Sequence, residues 1–420
     1  MSAIRERRPR RGESFDVVVV GGGVVGAAAA LAFARDGLQV ALVESREPPS
    51  WRADAPDLRV YAFAPDNAAW LDGLGVWDSI LAGRVQPYRS MRVWDAAGGH
   101  ELVFDADRLG RRELGWIVEH SLLVDRLWAA LPAAGVQLQC PARVVGLQQD
   151  PEGATLEIHP HDPPGASSSD PVASPTRSLH ARLVVAADGA DSQLRRLAGV
   201  EVESHDYRQR GVVAFVDHQA PHQSTCWQRF LPGGPLAFLP FAQNAGPAHR
   251  SSIVWTLPEA EANRLLAVDD AAFLVELGRA FDGPLGELLS VSKRVAFPLR
   301  RQLARTHVAG RVAFVGDAAH VVHPLAGQGV NLGLRDVAAL HAQLSHGRGA
   351  VNDPGNPGRL RRWGRQCRSN NALAAHAFHA LNALFSNDAL GLTLVRGPLL
   401  GIAGRVPPLT QALWRHAAGV

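Results

Sequence analysis

The 420-residue sequence predicts an α/β protein in which a parallel-sheet domain is interrupted by an antiparallel one. Three observations carry this reading. A strand, a glycine-rich turn, a helix and a second strand follow one another between Phe15 and Glu44. From Gly211 to Leu299 the texture becomes alternating and strand-rich. At Val312 a short apolar strand and a second glycine-rich turn return to the first pattern. A chain that leaves a parallel sheet, builds a second layer system and comes back has discontinuous domains.

Along the chain, Met1 to Gly12 carries five arginines and one glutamate without an apolar core, which excludes a secretory signal. Phe15 to Val20 is a continuous apolar run of the kind buried on both faces of a parallel sheet. An alanine-rich helix, Ala27 to Arg35, is stopped by Gly37, and the next strand runs from Leu38 to Glu44. Leu122 to Leu131 has helical spacing, while Val136 to Gln148 and Ala154 to Ile158 read as strands. The proline- and serine-rich stretch His159 to Ser178 reads as a solvent loop, because strand-like sequence resumes at Leu179. Within the strand-rich region one helix is expected, Ala271 to Phe281. After Val312 to Val315 a glycine turn opens a helix to about Leu344. Val351 to Gly358 has linker composition, and Leu360 onward is helical and unusually apolar. The expected domains are 14–87 with 118–200 and 300–350, then 88–117 with 201–299, and a C-terminal helical region, 359–420.

Composition narrows the function classes. At 46 % hydrophobic and 20 % charged the chain is ordinary globular material. No apolar run reaches the ~18 residues of a membrane-spanning helix. Three dispersed cysteines form neither a disulfide framework nor a zinc module and fit a reducing, cytoplasmic setting. A net charge of +3 gives no footprint for nucleic acid. Lys293 is the only lysine, so the other basic residues are arginines.

Three motifs carry chemistry. Gly21-Gly22-Gly23-Val24-Val25-Gly26 is a GxGxxG between strand and helix. Gly21 permits the tight turn, Gly23 the close approach of a pyrophosphate, and Gly26 the packing of helix on strand. Glu44 ends the second strand 18 residues after Gly26, where a carboxylate accepts hydrogen bonds from ribose hydroxyls. The second motif, Asp188-Gly189-Ala190-Asp191-Ser192-Gln193-Leu194-Arg195, is a DGxxSxxR after an apolar strand. The third is Gly316-Asp317-Ala318-Ala319-His320 followed by His323-Pro324-Leu325-Ala326-Gly327-Gln328-Gly329-Val330-Asn331-Leu332-Gly333. There an aspartate suited to polyol hydroxyls precedes a glycine turn whose N–H groups and helix dipole favour negative charge.

Read together, these motifs resemble the FAD-dependent aromatic hydroxylases, the group A flavoprotein monooxygenases. Within that group the sequence is most similar to ubiquinone-biosynthesis hydroxylases of the UbiH/UbiF/VisC type. Asp57-Leu58-Arg59, Leu114-Gly115-Trp116-Ile117-Val118-Glu119, Gln228 to Pro240 and Leu384-Phe385-Ser386 add to the likeness, which spans about residues 15–420. Trp116 and Trp363 stand where the family often has tyrosine, and the His159–Ser178 loop is longer than usual. The resemblance implies a Rossmann-like FAD-binding domain (GR2/PHBH-like) with an interleaved antiparallel-sheet substrate domain and C-terminal helices.

It also implies roles by position. Gly21, Gly23, Gly26 and Glu44 would hold the ADP half of FAD, and Asp317 its ribityl chain or pyrophosphate. Gly327, Gln328, Gly329, Val330 and Asn331 would flank the flavin ring, with Arg59 on its sugar-phosphate side. Asp188 and Gly189 would serve both FAD and transient NAD(P)H contact, since no second GxGxxG is present. The implied reaction is hydroxylation of the aromatic ring of a polyprenylated ubiquinone precursor through a flavin hydroperoxide, using NAD(P)H and oxygen. The alternative is a flavin hydroxylase or epoxidase acting on another aromatic or lipophilic substrate. A halogenase would need a lysine near the flavin, and Lys293, in a strand read over Val291 to Leu299, lies far from the motifs in sequence. A flavin-binding scaffold without turnover is the remaining class.

No residue declares itself as a base. His323 and Pro324 are the flavin-edge candidates, with packing as the other reading of His323; His320 either packs in the turn or acts in catalysis. No carboxylate or third histidine completes a metal set at ligand spacing, so no metal is expected. Phe238-Leu239-Pro240-Phe241 either lines the substrate pocket or is a core strand. The apolar stretches between Ala389 and Gly404 either pack in the core or dock on the inner-membrane surface or a ubiquinone-biosynthesis complex.

Overall fold

The computed structural model describes residues 14–96, 98, 101–160, 176–242, 249–322, 329–345 and 353–369. Its frame is an eight-stranded sheet. Ser14–Val20 lies between Val40–Val43 and Arg177–Ala186, all parallel. Val312–Phe314 and Gln137–Gln139 extend the parallel array on either side. Because side chains alternate across a strand, Val17 and Val19 enter one core while Val18 and Val20 enter the other. The first core is covered by the helices Val24–Arg35, His120–Ala130 and Gly329–Ser345 and by helix 357–369. The second is covered by the hairpin Ala142–Gln149/Ala154–Pro160 and the short helix Gln193–Leu197.

The second large sheet has nine strands, led by Val202–His218, Arg250–Pro258, Gly234–Pro240 and Thr225–Leu231 in antiparallel succession. One face packs on the helices Glu259–Ala267 and Asp270–Phe281 through Leu236, Phe238, Ile253 and Trp255. Ser90–Asp95 and Leu102–Asp105 extend one side, and Val295–Ala304 pairs with Val202–His218 on the other. A small antiparallel sheet, Val60–Phe63 with Gly115–Glu119 and Val85–Tyr88, bridges the two systems.

Several sequence expectations are corrected. The first helix begins at Val24 instead of Ala27, since the uncapped turn already has helical geometry. The strand expected over Val136–Gln148 breaks at Cys140–Pro141. Pro141 has no N–H to continue the ladder, and beyond it the chain joins the hairpin instead of the central sheet. Among its described residues the strand-rich region holds two helices, because Glu259 and Glu261 after Pro258 start one that alternation masked. Lys293 lies between the strands Leu288–Val291 and Val295–Ala304, not within one. The described part of the expected linker, 353–358, is packed: Asp353 pairs with Arg311 at 2.5 Å, and Asn356 accepts from Gly358 and Arg359 N–H. The loop tip 161–175 and the C-terminal stretch from 370, including Leu384–Ser386 and Ala389–Gly404, lie outside the described residues.

Candidate active site

The site is built from two glycine turns that end parallel strands, Ser14–Val20 and Val312–Phe314, on either side of Arg177–Ala186. Gly21 takes φ +103°, a left-handed conformation in which a side chain is strained. At Gly26 a Cβ would overlap the Gly21 carbonyl oxygen, so helix and strand meet at a distance only glycine allows. The helix has neither a capping side chain nor an acid in its first turn. Its first N–H groups therefore have no partner inside the helix, and Gly23, Val24, Val25 and Gly26 line a cavity of about 870 Å³. Unpaired donors and the positive end of the dipole suit a pyrophosphate. Glu44 accepts from Gly22 N–H at 2.5 Å, Ser45 Oγ at 2.9 Å and Arg46 N–H at 3.1 Å. It braces the turn and keeps lone-pair capacity for a ribose hydroxyl.

At the second turn Gly316 takes φ +57°, and Asp317 projects, exposed, onto the cavity wall. Behind it Asp336, on the helix Gly329–Ser345, accepts from Gly316 N–H at 3.1 Å and pairs with His320 Nε2 at 2.5 Å. Burial alone lowers the His320 pKa, but the charge and hydrogen bond of Asp336 outweigh it and raise it. His320 is thus committed to packing and stands off the cavity. His307 completes a buried set with these two, their ligand atoms within 4.8 Å of one another. Sequence spacing hid this cluster, because its members come from a loop, a short strand and a helix. Burial pushes His307 down to about 4.

The DGxxSxxR motif ties the turns together. Ser192 Oγ accepts from Arg195 N–H at 3.0 Å, and Arg195 donates to Ala190 O at 2.7 Å and Ala318 O at 2.8 Å. Gly189, at φ +81°, lines the cavity. Asp188 Oδ2 accepts from Leu194 N–H at 3.0 Å, and its Oδ1 is buried without a partner among the described residues.

The opposite wall comes from the segment 51–61. Glu119, fully buried, accepts from Arg84 at 2.8 and 3.0 Å, Asp57 N–H at 2.7 Å and Trp51 Nε1 at 3.0 Å. This carboxylate anchors the loop that presents Arg59, whose guanidinium lies 5.6 Å from the Tyr61 ring centre. Tyr61 and His120, both on the cavity, share a hydrogen bond of 3.0 Å. Burial, then the Arg59 charge, holds His120 down to about 4, and burial lifts Tyr61 to about 12. Both shifts favour the uncharged forms, so the pair is a neutral hydrogen-bonded contact on the cavity wall. No sequence motif marks it.

The roof is the face of the nine-stranded sheet opposite its two helices, part of which packs on the small sheet. Register aligns Gln228, Ala237, Val254, Val213 and Val295 in one row across five strands, and all five line the cavity. Thr256, Gly211 and Phe297 form the neighbouring row. Leu239 also lines the cavity, whereas Phe238 points the other way and packs 4.1 Å from Phe281. The segment Phe238–Phe241 thus divides its side chains between pocket and core.

A family model described as an FAD binding domain matches residues 14–369. The chain belongs to that family. It is 37% identical over 408 residues to ubiquinone hydroxylase UbiL of Rhodospirillum rubrum, covering 96% of this chain and 89% of that one. It is 34% identical over 407 residues to 3-demethoxyubiquinol 3-hydroxylase of Escherichia coli, covering 96% and 98%. Among solved structures, p-nitrophenol 4-monooxygenase PnpA from Pseudomonas putida matches with TM-score 0.74 and 20% identity, over 97% of this chain and 99% of that one. The protein is an FAD-dependent hydroxylase of PHBH-like fold.

The residues of this FAD-binding hydroxylase fit its cofactor. The uncapped helix start, the cavity-facing Asp317 and the unpartnered Asp188 oxygen offer donors and acceptors where a dinucleotide needs them. Of the sequence-assigned positions, Gly23, Gly26, Arg59, Gly189, Asp317, Gly329 and Val330 share the cavity. Asn331 does not. Its side chain accepts from Ala64 N–H at 2.9 Å and donates to Ala62 O at 2.8 Å, clasping the small sheet to the helix. His323, Pro324, Gly327 and Gln328 lie outside the described residues.

Proposed function

We propose that this hydroxylase inserts one oxygen atom into the aromatic ring of a polyprenylated ubiquinone precursor, using FAD, NAD(P)H and O2. The observation that carries the reading is the continuity of one cavity from the dinucleotide-type helix start to an apolar sheet face. The names of the relatives in Rhodospirillum rubrum and Escherichia coli support the substrate class. Bound FAD supplies two-electron chemistry and oxygen activation.

The chain's own residues do the rest. The N–H groups of Val24, Val25 and Gly26 hold the pyrophosphate, Asp317 the polyol hydroxyls, and Glu44 the ribose. Gly329 and Val330, with Gly327 and Gln328 before them, approach the ring, and His323 and Pro324 remain the flavin-edge candidates. Val254, Val213, Ala237 and Leu239 exclude water above the ring, which strengthens every polar contact below. Gln228 and Thr256 are the polar groups on this apolar roof, placed to orient a phenolic oxygen. Arg59 and Gly189, at the polar opening, receive the nicotinamide dinucleotide as a visitor. A substrate with a lipid tail places the enzyme at the inner-membrane surface or in a ubiquinone-biosynthesis complex. Among the described residues no helix is long and apolar enough to cross a membrane.

Quinone-lipid mass spectrometry on cells lacking this gene tests the proposal. Accumulation of a prenylated phenol one oxygen short is expected, and its structure names the carbon. An unchanged quinone pool, in a strain without a second such hydroxylase, would redirect the assignment to a soluble aromatic substrate.

A further inference from the structure

The exposed residues that line the cavity fall into two chemically different groups. Gly23, Arg59 and Asp317 form the polar one, where the cofactor's phosphates and sugars belong. Val295, Phe297 and Pro298 form the apolar one. Val295 is 40 % and Phe297 37 % exposed, among the few large hydrophobic side chains so exposed in the described residues.

Register explains why they lie there. Val295 ends the row that begins at Gln228, and Phe297 ends the row through Thr256 and Gly211. Their strand is an edge at this level: its pairing with His320–Val321 involves only Gln302 and Leu303. The apolar roof therefore continues to exposed side chains at the sheet edge, with half-buried Arg300 the charged residue that lines the cavity beyond them on the same strand. Gly211 shapes the exit, because a Cβ there would stand 2.8 Å from Phe297 Cζ and displace the ring that lies across it.

A cavity of about 870 Å³ that receives both a flavin and an aromatic head group has no room for a long isoprenoid chain. We infer that the substrate's isoprenoid tail leaves over Val295, Phe297 and Pro298, making this edge a tail-binding groove. The inference rests on the substrate reading given above. Each methylene of the tail that leaves water gains free energy, so affinity grows with tail length until the groove ends. The groove then selects prenylated over bare phenols, while the head group is held under Gln228 and Thr256.

The test compares the FAD-loaded full chain with its Val295→Asn/Phe297→Gln variant on two phenols, one with a single isoprene unit and one with a long polyprenyl tail in detergent micelles. The ratio of kcat/KM, long over short, is expected to fall roughly tenfold or more, through KM. Equilibrium binding of the long-tailed phenol, followed by perturbation of the flavin absorbance, should weaken in parallel. Phe297→Leu keeps an apolar side chain and should retain the wild-type ratio, which separates groove chemistry from general damage. An unchanged ratio, or a fall carried by kcat alone, overturns the tail path while leaving the substrate reading standing. Wild-type enzyme that turns over neither phenol overturns both.

Discussion

Glu119 shows how one buried carboxylate can organise a site it does not enter. Its oxygens are filled by Arg84, Trp51 and the Asp57 N–H, and through Asp57 it sets the backbone that presents Arg59. The side chains of Arg84 and Glu119 are 4% and 0% exposed, so neither charge has water to fall back on. Replacing such a pair with apolar groups can be nearly neutral, but removing one partner strands the other. Arg84→Met should therefore destabilise the protein by about 3–5 kcal/mol. Arg84→Met/Glu119→Leu should recover a large part of the loss. Urea unfolding of the two variants decides it, and equal midpoints for Arg84→Met and wild type would show that the pair is not what holds this loop.

The first strand–turn–helix element separates two duties of glycine that the GxGxxG pattern merges. At Gly26 an added Cβ meets the Gly21 carbonyl, which is backbone and cannot swing away. Gly26→Ala must shift helix against strand, an overpacking cost of about 1–3 kcal/mol. At Gly23 an added Cβ meets nothing within 4 Å in the protein, only the cavity. Gly23→Ala should keep the melting temperature of the apoprotein and lose FAD affinity, whereas Gly26→Ala should lose both. Thermal melts of apoprotein together with FAD titration check the pair, and identical profiles would refute the division. This element was legible in the sequence because strand, turn, helix and terminal acid are contiguous there. The small sheet of Val60–Phe63, Gly115–Glu119 and Val85–Tyr88 was not, because short half-buried strands far apart in sequence carry no local period. Tyr61 and His120 escaped for the same reason: they meet only when that sheet and the helix His120–Ala130 assemble.

At the scale of the whole molecule the site belongs to neither sheet alone, since the motifs lie on the parallel one and the roof on the antiparallel one. Histidines are distributed through the same assembly, and their shifts run in opposite directions. His120, His222 and His307 are each pushed down to about 4, chiefly by burial, while His320 is raised by Asp336 against the effect of burial. An unfolded histidine titrates near 6.5, so between about 6.5 and about 4 the unfolded chain binds more protons at the first three sites. Stability must fall as pH drops through that window, at up to about 1.4 kcal/mol per pH unit for each such group. Asp217, held low by its hydrogen bonds to Arg250, adds a loss at more acid pH still. His320 works on the other limb: its contribution is complete below about 6.5 and disappears as pH rises through its raised folded value. The expected curve of unfolding midpoint against pH is a dome whose limbs are set largely by histidine between pH 4 and about 8, above which the thiols of Cys226 and Cys367, held up by burial, add a further loss. His307→Gln should flatten the acid limb, and His320→Gln the alkaline limb. Midpoints measured from pH 4 to about 8 on the FAD-loaded protein test this, below the range where thiols ionise, and an alkaline limb that survives His320→Gln there would mean the Asp336 pair does not set it.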